Sequence, residues 1–183
     1  LPKATWPAPL SRSVTPWQGH QPRGGMEIRR IRREEWAQFR SLRLSALSDA
    51  PYAFASSFAE EERQPDEQWQ EWAQASIFIA SHQGEWIGMA GAHRDEDPGI
   101  VVVWGMWVDP RRRRSGLGRR LLGAVIDWAR AQGARRLRLG VTDSNEPAVS
   151  FYLANGFVPT GQREPLRSNP SLMEIEMERD VVP

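Results

Sequence analysis

The chain has 183 residues with 24 Lys and Arg against 23 Asp and Glu, a formal net charge of +1. Forty per cent of its residues are hydrophobic, enough for one sizeable core, and no run of eighteen apolar residues suggests a membrane-crossing helix. There is no cysteine, which excludes disulfides, thiolate metal sites and a cysteine nucleophile, and the three histidines have no ligand spacing, so no metal site is expected.

Residues 1–25, with five prolines and no acid, predict an extended tail. Trp6 and Trp17 are its candidate anchors, and Met26 is the expected functional start. No continuous apolar core of the kind a signal peptide needs occurs there, and the lack of cysteine is compatible with the expected cytoplasmic location. From Met26 the patterning is that of a folded domain, expected over 26–183. "MEIRRI" is a short first strand. "REEWAQFRSLRLSAL" (Arg33–Leu47) spaces Trp36, Phe39, Arg43 and Leu47 as an amphipathic helix. Ser48–Ser57 reads as a loop broken by Pro51. Pro65–Ala75 has proline and acids in its first turn and places Trp69 and Trp72 on one face of a second helix.

"SIFIASHQ" and "EWIGMAGAHR" predict a hairpin turning at Gln83-Gly84. After a second turn at Asp95–Gly99, Ile100–Val108 is apolar without alternation, as a strand covered on both faces must be, and is placed at the sheet centre. Leu117, Leu121, Val125 and Trp128 then mark a helix that Gly133 ends. Arg135–Thr142 is a strand, and Asn145–Gly156 a short helix with Asn145 as N-cap. "FVPTGQ" and "SLMEIEME" are the closing strands. The order predicts an α/β domain, α+β in its mixed sheet, with helices on both faces.

"VDPRRRRSGLGRRLL" (Val108–Leu122) lies at a strand–loop–helix junction. The first N–H groups of a helix lack intrahelical partners, and the helix dipole adds positive charge there. Gly116 and Gly118 let an anion approach the backbone, and Arg113, Arg114 and Arg119 offer charge-assisted bonds, so the stretch has the parts of a pyrophosphate cradle. It is not a Walker A loop, lacking GxxxxGK[ST], nor a dinucleotide fingerprint, since "GLGRRL" has no third glycine. A solvated arginine patch is the plain alternative.

Arg113-Arg114-Ser115-Gly116-Leu117-Gly118 resembles the [R/Q]-x-x-G-x-[G/A] signature of the GNAT superfamily of acyl-CoA-dependent N-acetyltransferases. "NEPAVSFYLANGF" (Asn145–Phe157) is similar to that family's second segment. The resemblance implies a single domain whose central strand splays from its parallel neighbour, with acetyl-CoA as acyl donor held in the gap. It implies that backbone of Met106, Trp107 and Val108 takes the pantetheine arm, with a bulge at Gly105. The amides of Arg113, Arg114, Ser115, Gly116, Leu117 and Gly118, helped by Arg119, would take the pyrophosphate. Asn145 would hold the cofactor arm, cap its helix, or both. Tyr152 would protonate the leaving thiolate, its alternative being a core aromatic beside Phe151 and Phe157.

The resemblance implies direct attack of an amine in a ternary complex. An alkyl ammonium is neutral only about once in 2,500 at pH 7, a deficit of roughly 4.6 kcal/mol that a base or relay must offset. The family often supplies a glutamate on the central strand, and Ile100–Val108 has none. Glu60 and Glu61 are the candidate bases, with Asp109 a weaker one that can instead shape its turn. "YAFASSFAEEE" lies where the family shapes its acceptor pocket, and its aromatics and acids suit a cationic amine, either a small molecule or a peptide; a solvated acidic helix end is the alternative. Two rival functions are a non-catalytic acyl-CoA sensor, favoured by the missing strand carboxylate, and a nucleic-acid module built on Arg111–Arg114, Arg119 and Arg120. The balanced total charge argues against nucleic acid. No membrane partner is expected; a homodimer is open.

Overall fold

Ile100–Val108 is β4, the fourth of seven strands, and it is covered on both faces, which is why its sequence does not alternate. The strands are β1 (Met26–Arg30), β2 (Ser76–His82), β3 (Glu85–Arg94), β4, β5 (Arg136–Thr142), β6 (Val158–Pro165) and β7 (Met173–Asp180). They lie in the order β1-β2-β3-β4-β5-β7-β6. Every neighbouring pair is antiparallel except β4 and β5. These elements come from a computed structural model that describes residues 25–181. The expectations for the tail through residue 24, Trp6 and Trp17 among them, lie outside the described residues.

The two faces carry separate cores. Val101 and Val103 of β4, with Leu137, Leu139 and Val141 of β5, pack under helix α4 (Leu117–Ala131) and helix α5 (Glu146–Ala154). Trp107 turns to the other face and joins Ile77, Ile79 and Met89 beneath α1 (Trp36–Asp49) and α3 (Asp66–Trp72). Phe39, Arg43 and Leu47 of α1 are buried at the predicted spacing, and Trp69 meets Trp72 edge-on at 4.8 Å.

Local chemistry shifts several expected boundaries. The first helix begins later than Arg33, because Arg33–Glu35 tightens into a 3-10 turn in which Glu35 accepts the Arg32 amide at 2.7 Å. The loop expected over Ser48–Ser57 contains a 3-10 turn at Pro51–Ala53, and an unforeseen helix, α2 (Phe58–Glu62), follows it. Ser57 and Glu60 close a capping box on α2. The closing strands run later than expected, to Pro165 and Asp180. The hairpin turn is where it was placed, with Gln83 and Gly84 both left-handed.

Two features of β4 open the sheet. Its pairing with β5 covers Ile100, Val101 and Val102 alone, so the rest of each strand parts from the other. Against β3, the register jumps from Met89↔Trp107 to Gly91↔Trp104, leaving an extra residue on β4. Gly105 takes that kink at φ +60, a left-handed conformation that costs other residues roughly 1–2 kcal/mol.

Glu35 also takes two bonds from Arg29, at 2.6 and 2.8 Å, and this ties the start of α1 to β1. The Arg29 hydrogen bonds foremost hold its carboxyl down at about 2, against an ordinary 4.5. A folded-state pKa below the unfolded one contributes stability above the unfolded value, and that stability is lost as protons bind the folded form. Urea midpoints of the wild type should therefore fall as pH drops from about 4.5 toward 2. Glu35→Gln should flatten that part of the curve; identical curves would show that the clamp contributes nothing.

Candidate active site

The Arg113–Gly118 loop joins β4 to the N-terminus of α4. Arg114 at φ +60 and Gly116 at φ +81 are both left-handed, so the chain doubles back before the helix starts. An arginine in that region stores strain of a kind found at binding sites. The Arg113 amide donates to the Pro110 carbonyl at 3.4 Å, and the Arg120 amide to Gly116 at 3.2 Å. Among the described residues, no protein acceptor takes the amides of Arg114, Ser115, Gly116, Leu117, Gly118 or Arg119. A Cβ on Gly116 would meet nothing within 4 Å, so the loop's concavity is open. Oriented N–H groups around left-handed residues at a helix start form an anion cradle.

Gly118 lies at the seam of three elements: a Cβ there would be 3.4 Å from Phe151 of α5 and 3.6 Å from Met106 of β4. The cradle, the parted edge of β4 and the residue next to Tyr152 therefore meet. Tyr152 lies edge-on between Phe151 at 5.3 Å and Phe157 at 5.5 Å, so it is a core aromatic as well as a site candidate. Burial pushes its phenol well above the ordinary range. Asn145 caps α5, its side chain accepting the Ala148 amide at 3.4 Å.

Arg113 is engaged inside the protein. Its Nε donates to the Val108 carbonyl at 3.1 Å, and its terminal nitrogen pairs with Asp49 at the end of α1. Asp49 also accepts the Trp107 indole N–H at 2.8 Å. Thus Arg113, Trp107 and Val108, all expected to face the ligand, are fastened to one another through Asp49. No sequence signal points to Asp49, which is 58 residues from Trp107 and 64 from Arg113. Arg111 is likewise spent on Asp109, which accepts it at 2.7 and 3.0 Å, and on Glu85. The Arg111 bonds hold Asp109 below the usual carboxylate range, so that carboxylate shapes the turn.

Both candidate bases are committed elsewhere. Glu60 accepts the Ser57 amide at 3.1 Å, which with Arg167 nearby holds it below the ordinary carboxylate range. Glu61 is buried and forms a two-bond pair with Arg43, at 2.9 and 2.7 Å. The Arg43 guanidinium stacks 4.7 Å from the Phe54 ring, and a Cβ on Gly105 would lie 3.3 Å from it. The pair therefore braces the bulge from the α1 face. Among the described residues, no group of three or more His, Asp or Glu side chains could hold a metal, and no helix is long and apolar enough to cross a membrane.

The model of the acetyltransferase (GNAT) family matches residues 28–157. A mycothiol acetyltransferase of Thermobispora bispora is 30% identical over 123 residues, covering 64% of this chain and 41% of that protein. The chain spans about two fifths of the length of such curated relatives. A GNAT-family acetyltransferase of Streptococcus pneumoniae superposes with a TM-score of 0.73 at 22% identity, covering 86% of this chain and 99% of that one. A Salmonella typhimurium protein solved with its cofactor acetyl-CoA gives a TM-score of 0.72 at 20% identity, over 87% and 96% of the two chains. At these identities the two structures speak to the fold.

Removing one partner of a buried ion pair strands the other. Glu61→Ala should cost about 3–5 kcal/mol in urea unfolding, and Arg43→Met combined with Glu61→Leu should recover much of it. A loss below about 1 kcal/mol would mean that water reaches the pair.

Proposed function

The chain belongs to the acetyltransferase (GNAT) family, and on that premise we propose that it transfers an acetyl group from acetyl-CoA to a primary amine. The observation that carries this reading is the set of unclaimed amides from Arg114 to Arg119, set where β4 leaves β5. Acetyl-CoA supplies an activated thioester at one end and a diphosphate at the other. The cradle suits the diphosphate: it offers backbone N–H groups at a helix N-terminus, with the exposed Arg114 and Arg119 in the same short stretch. Past Val102, the edge of β4 is left without a strand partner on the β5 side, and its backbone suits the amide-bearing arm. Met106 and Trp107 are the positions for this, since the Val108 carbonyl already accepts Arg113.

Tyr152 is proposed to give its hydroxyl proton to the departing thiolate. As a phenol, Tyr152 carries one hydroxyl proton that it can donate. Its upward-shifted pKa keeps the phenol protonated throughout the working range. Asn145 caps the first turn of α5, the helix that carries Tyr152. Two of the six loop arginines are neutralised by Asp49 and by Asp109 with Glu85, which weakens the case for a nucleic-acid patch.

Calorimetry should show CoA binding at least about tenfold tighter than pantetheine alone, because a charged hydrogen bond is worth ~1.5–3 kcal/mol. Gly116→Val should erase most of that difference. Equal affinities for CoA and pantetheine would remove the diphosphate cradle. Tyr152→Phe should keep CoA affinity and lower turnover by roughly a hundredfold, the scale of general acid catalysis. Unchanged free-thiol release at every pH would exclude Tyr152 from the reaction.

A further inference from the structure

The face of the sheet opposite α4 and α5 carries Glu174, a carboxylate that no role above absorbs. It lies on β7, where Ile175 and Met177 turn toward the α4 core while Glu174, Glu176 and Glu178 turn away from it. In the β5–β7 register Glu174 stands opposite Thr142, and Glu176 opposite Gly140. The Glu174 side chain does not stay over its own strand. A Cβ on Gly140 would fall 2.3 Å from Cδ and Oε1 of Glu174, so the carboxylate lies flat across β5 in the space that a side chain at 140 would fill. Gly140 is beyond Arg138, the last residue of β5 to pair with β4. The carboxylate thus reaches toward the part of β5 that has separated from β4.

Its surroundings close over this place. Thr142 Oγ1 donates to the Tyr52 carbonyl at 2.7 Å, which brings the turn after α1 onto the same face. Ser168 donates to the Phe54 carbonyl, and Arg167 stands 3.5 Å from Glu60, so the β6–β7 loop joins the cover. A cavity of about 270 Å³ opens beside Glu174, lined by Gln162, Arg163, Glu164 and Glu176 as well.

The other charges on this face are largely spoken for. Glu176 has Arg138 at 3.5 Å and accepts Thr160 at 2.9 Å; Glu178 holds Arg136 and Arg138; Arg163 pairs with Asp143. Glu164 is exposed at the rim. Among the described residues the Glu174 carboxylate has no basic partner and no side-chain hydrogen bond.

We propose that Glu174 is the group that takes the proton from the acceptor ammonium, and that the acceptor is a cationic primary amine entering on the α1 face of the parted strands. The inference rests on the acetyltransferase reading above. Burial, and then the charge of Glu164, raise the Glu174 pKa, which makes this carboxylate a stronger base than an ordinary one. The balance is simple. The ammonium gives one proton to Glu174, which passes it to solvent. The freed nitrogen lone pair forms the C–N bond as the C–S bond breaks. The thiolate takes the Tyr152 proton, and the second nitrogen proton restores the phenol.

The test is Glu174→Gln in the full chain, assayed by free-thiol release from acetyl-CoA with a panel of primary amines across pH, with CoA affinity measured in parallel. We expect kcat/KM for the amine to fall about a hundredfold or more, the acid limb of the profile to disappear, and CoA affinity to stay within about twofold. Gly140→Ala retains the carboxylate but displaces it, and should lose at least about tenfold. A carboxyl NMR titration of the wild type, assigned with Glu174→Gln, should place this group above the ordinary carboxylate midpoint. Wild-type-like profiles for Glu174→Gln, or a midpoint at or below the ordinary value, overturn Glu174 and leave the acetyltransferase reading standing. A chain that binds CoA and acetylates none of the amines overturns the acceptor class. Absence of CoA binding by the wild type overturns the acetyltransferase reading itself, and this inference with it.

Discussion

The parting of β4 from β5 after Val102 is the constraint on which the rest of the structure turns. A paired sheet has no room between neighbouring strands, which lie under 5 Å apart. Separating two central strands forfeits interior hydrogen bonds and exposes backbone that burial would otherwise penalise. The fold sustains this by holding β4 from elsewhere. The strand stays zipped to β3 along its length, with the Gly105 bulge bending it, and cores on both faces grip its side chains. The Arg43–Glu61 pair braces the bulge, and Asp49 fastens the strand's end through Trp107 and Arg113. Each brace comes from α1 or the segment after it, so the N-terminal helices do more than cover a face.

Those braces explain how the arginine run divides its labour. A cluster of like charges at a helix N-terminus repels itself and opposes the dipole. Here Arg111 and Arg113 are returned to carboxylates within the protein, while Arg114 and Arg119 remain exposed at the cradle. The run therefore combines structural ties with charge left open to solvent. The left-handed Arg114 is the point of division: the chain before it bonds back to β4 and α1, and the amides from Ser115 to Arg119 find no acceptor among the described residues.

What the sequence disclosed follows the range of the interactions involved. The central strand, the cradle, α4 and the capped α5 depend on contacts within a few residues, and their signals are local: apolar run, glycine spacing, cap, period. The bulge at Gly105 was legible for the same reason, a glycine inside an otherwise β-branched and aromatic strand. Helix α2 carried a local signal too, the Ser57-x-x-Glu60 box, but it is one turn long and sits among residues read as a pocket rim. The roles of Glu60 and Glu61 were obscure for opposite reasons. Glu60 serves its own helix start, whereas Glu61 serves Arg43, eighteen residues away. Asp49 and Glu174 were out of reach, since only folding sets Asp49 against Trp107 or lays Glu174 across Gly140.

A net charge of +1 conceals a separation of charge that the topology creates. The strand-to-helix junction gathers arginines around α4's start, while β7 alternates glutamates onto the opposite face of the sheet. Period-two alternation makes this automatic: once Ile175 and Met177 enter the core, residues 174, 176 and 178 must face outward. Arg136 and Arg138 on β5 neutralise the far end of that row, leaving Glu174 at the end nearest the parted strands. The same sheet thus presents positive charge where an anionic donor would be held and negative charge where a cationic acceptor would arrive. Exposed charges are screened beyond roughly 8 Å at physiological ionic strength, so two partners on opposite faces would each meet the sign suited to it. On the proposed reading, the parted strands are where those two approaches would join.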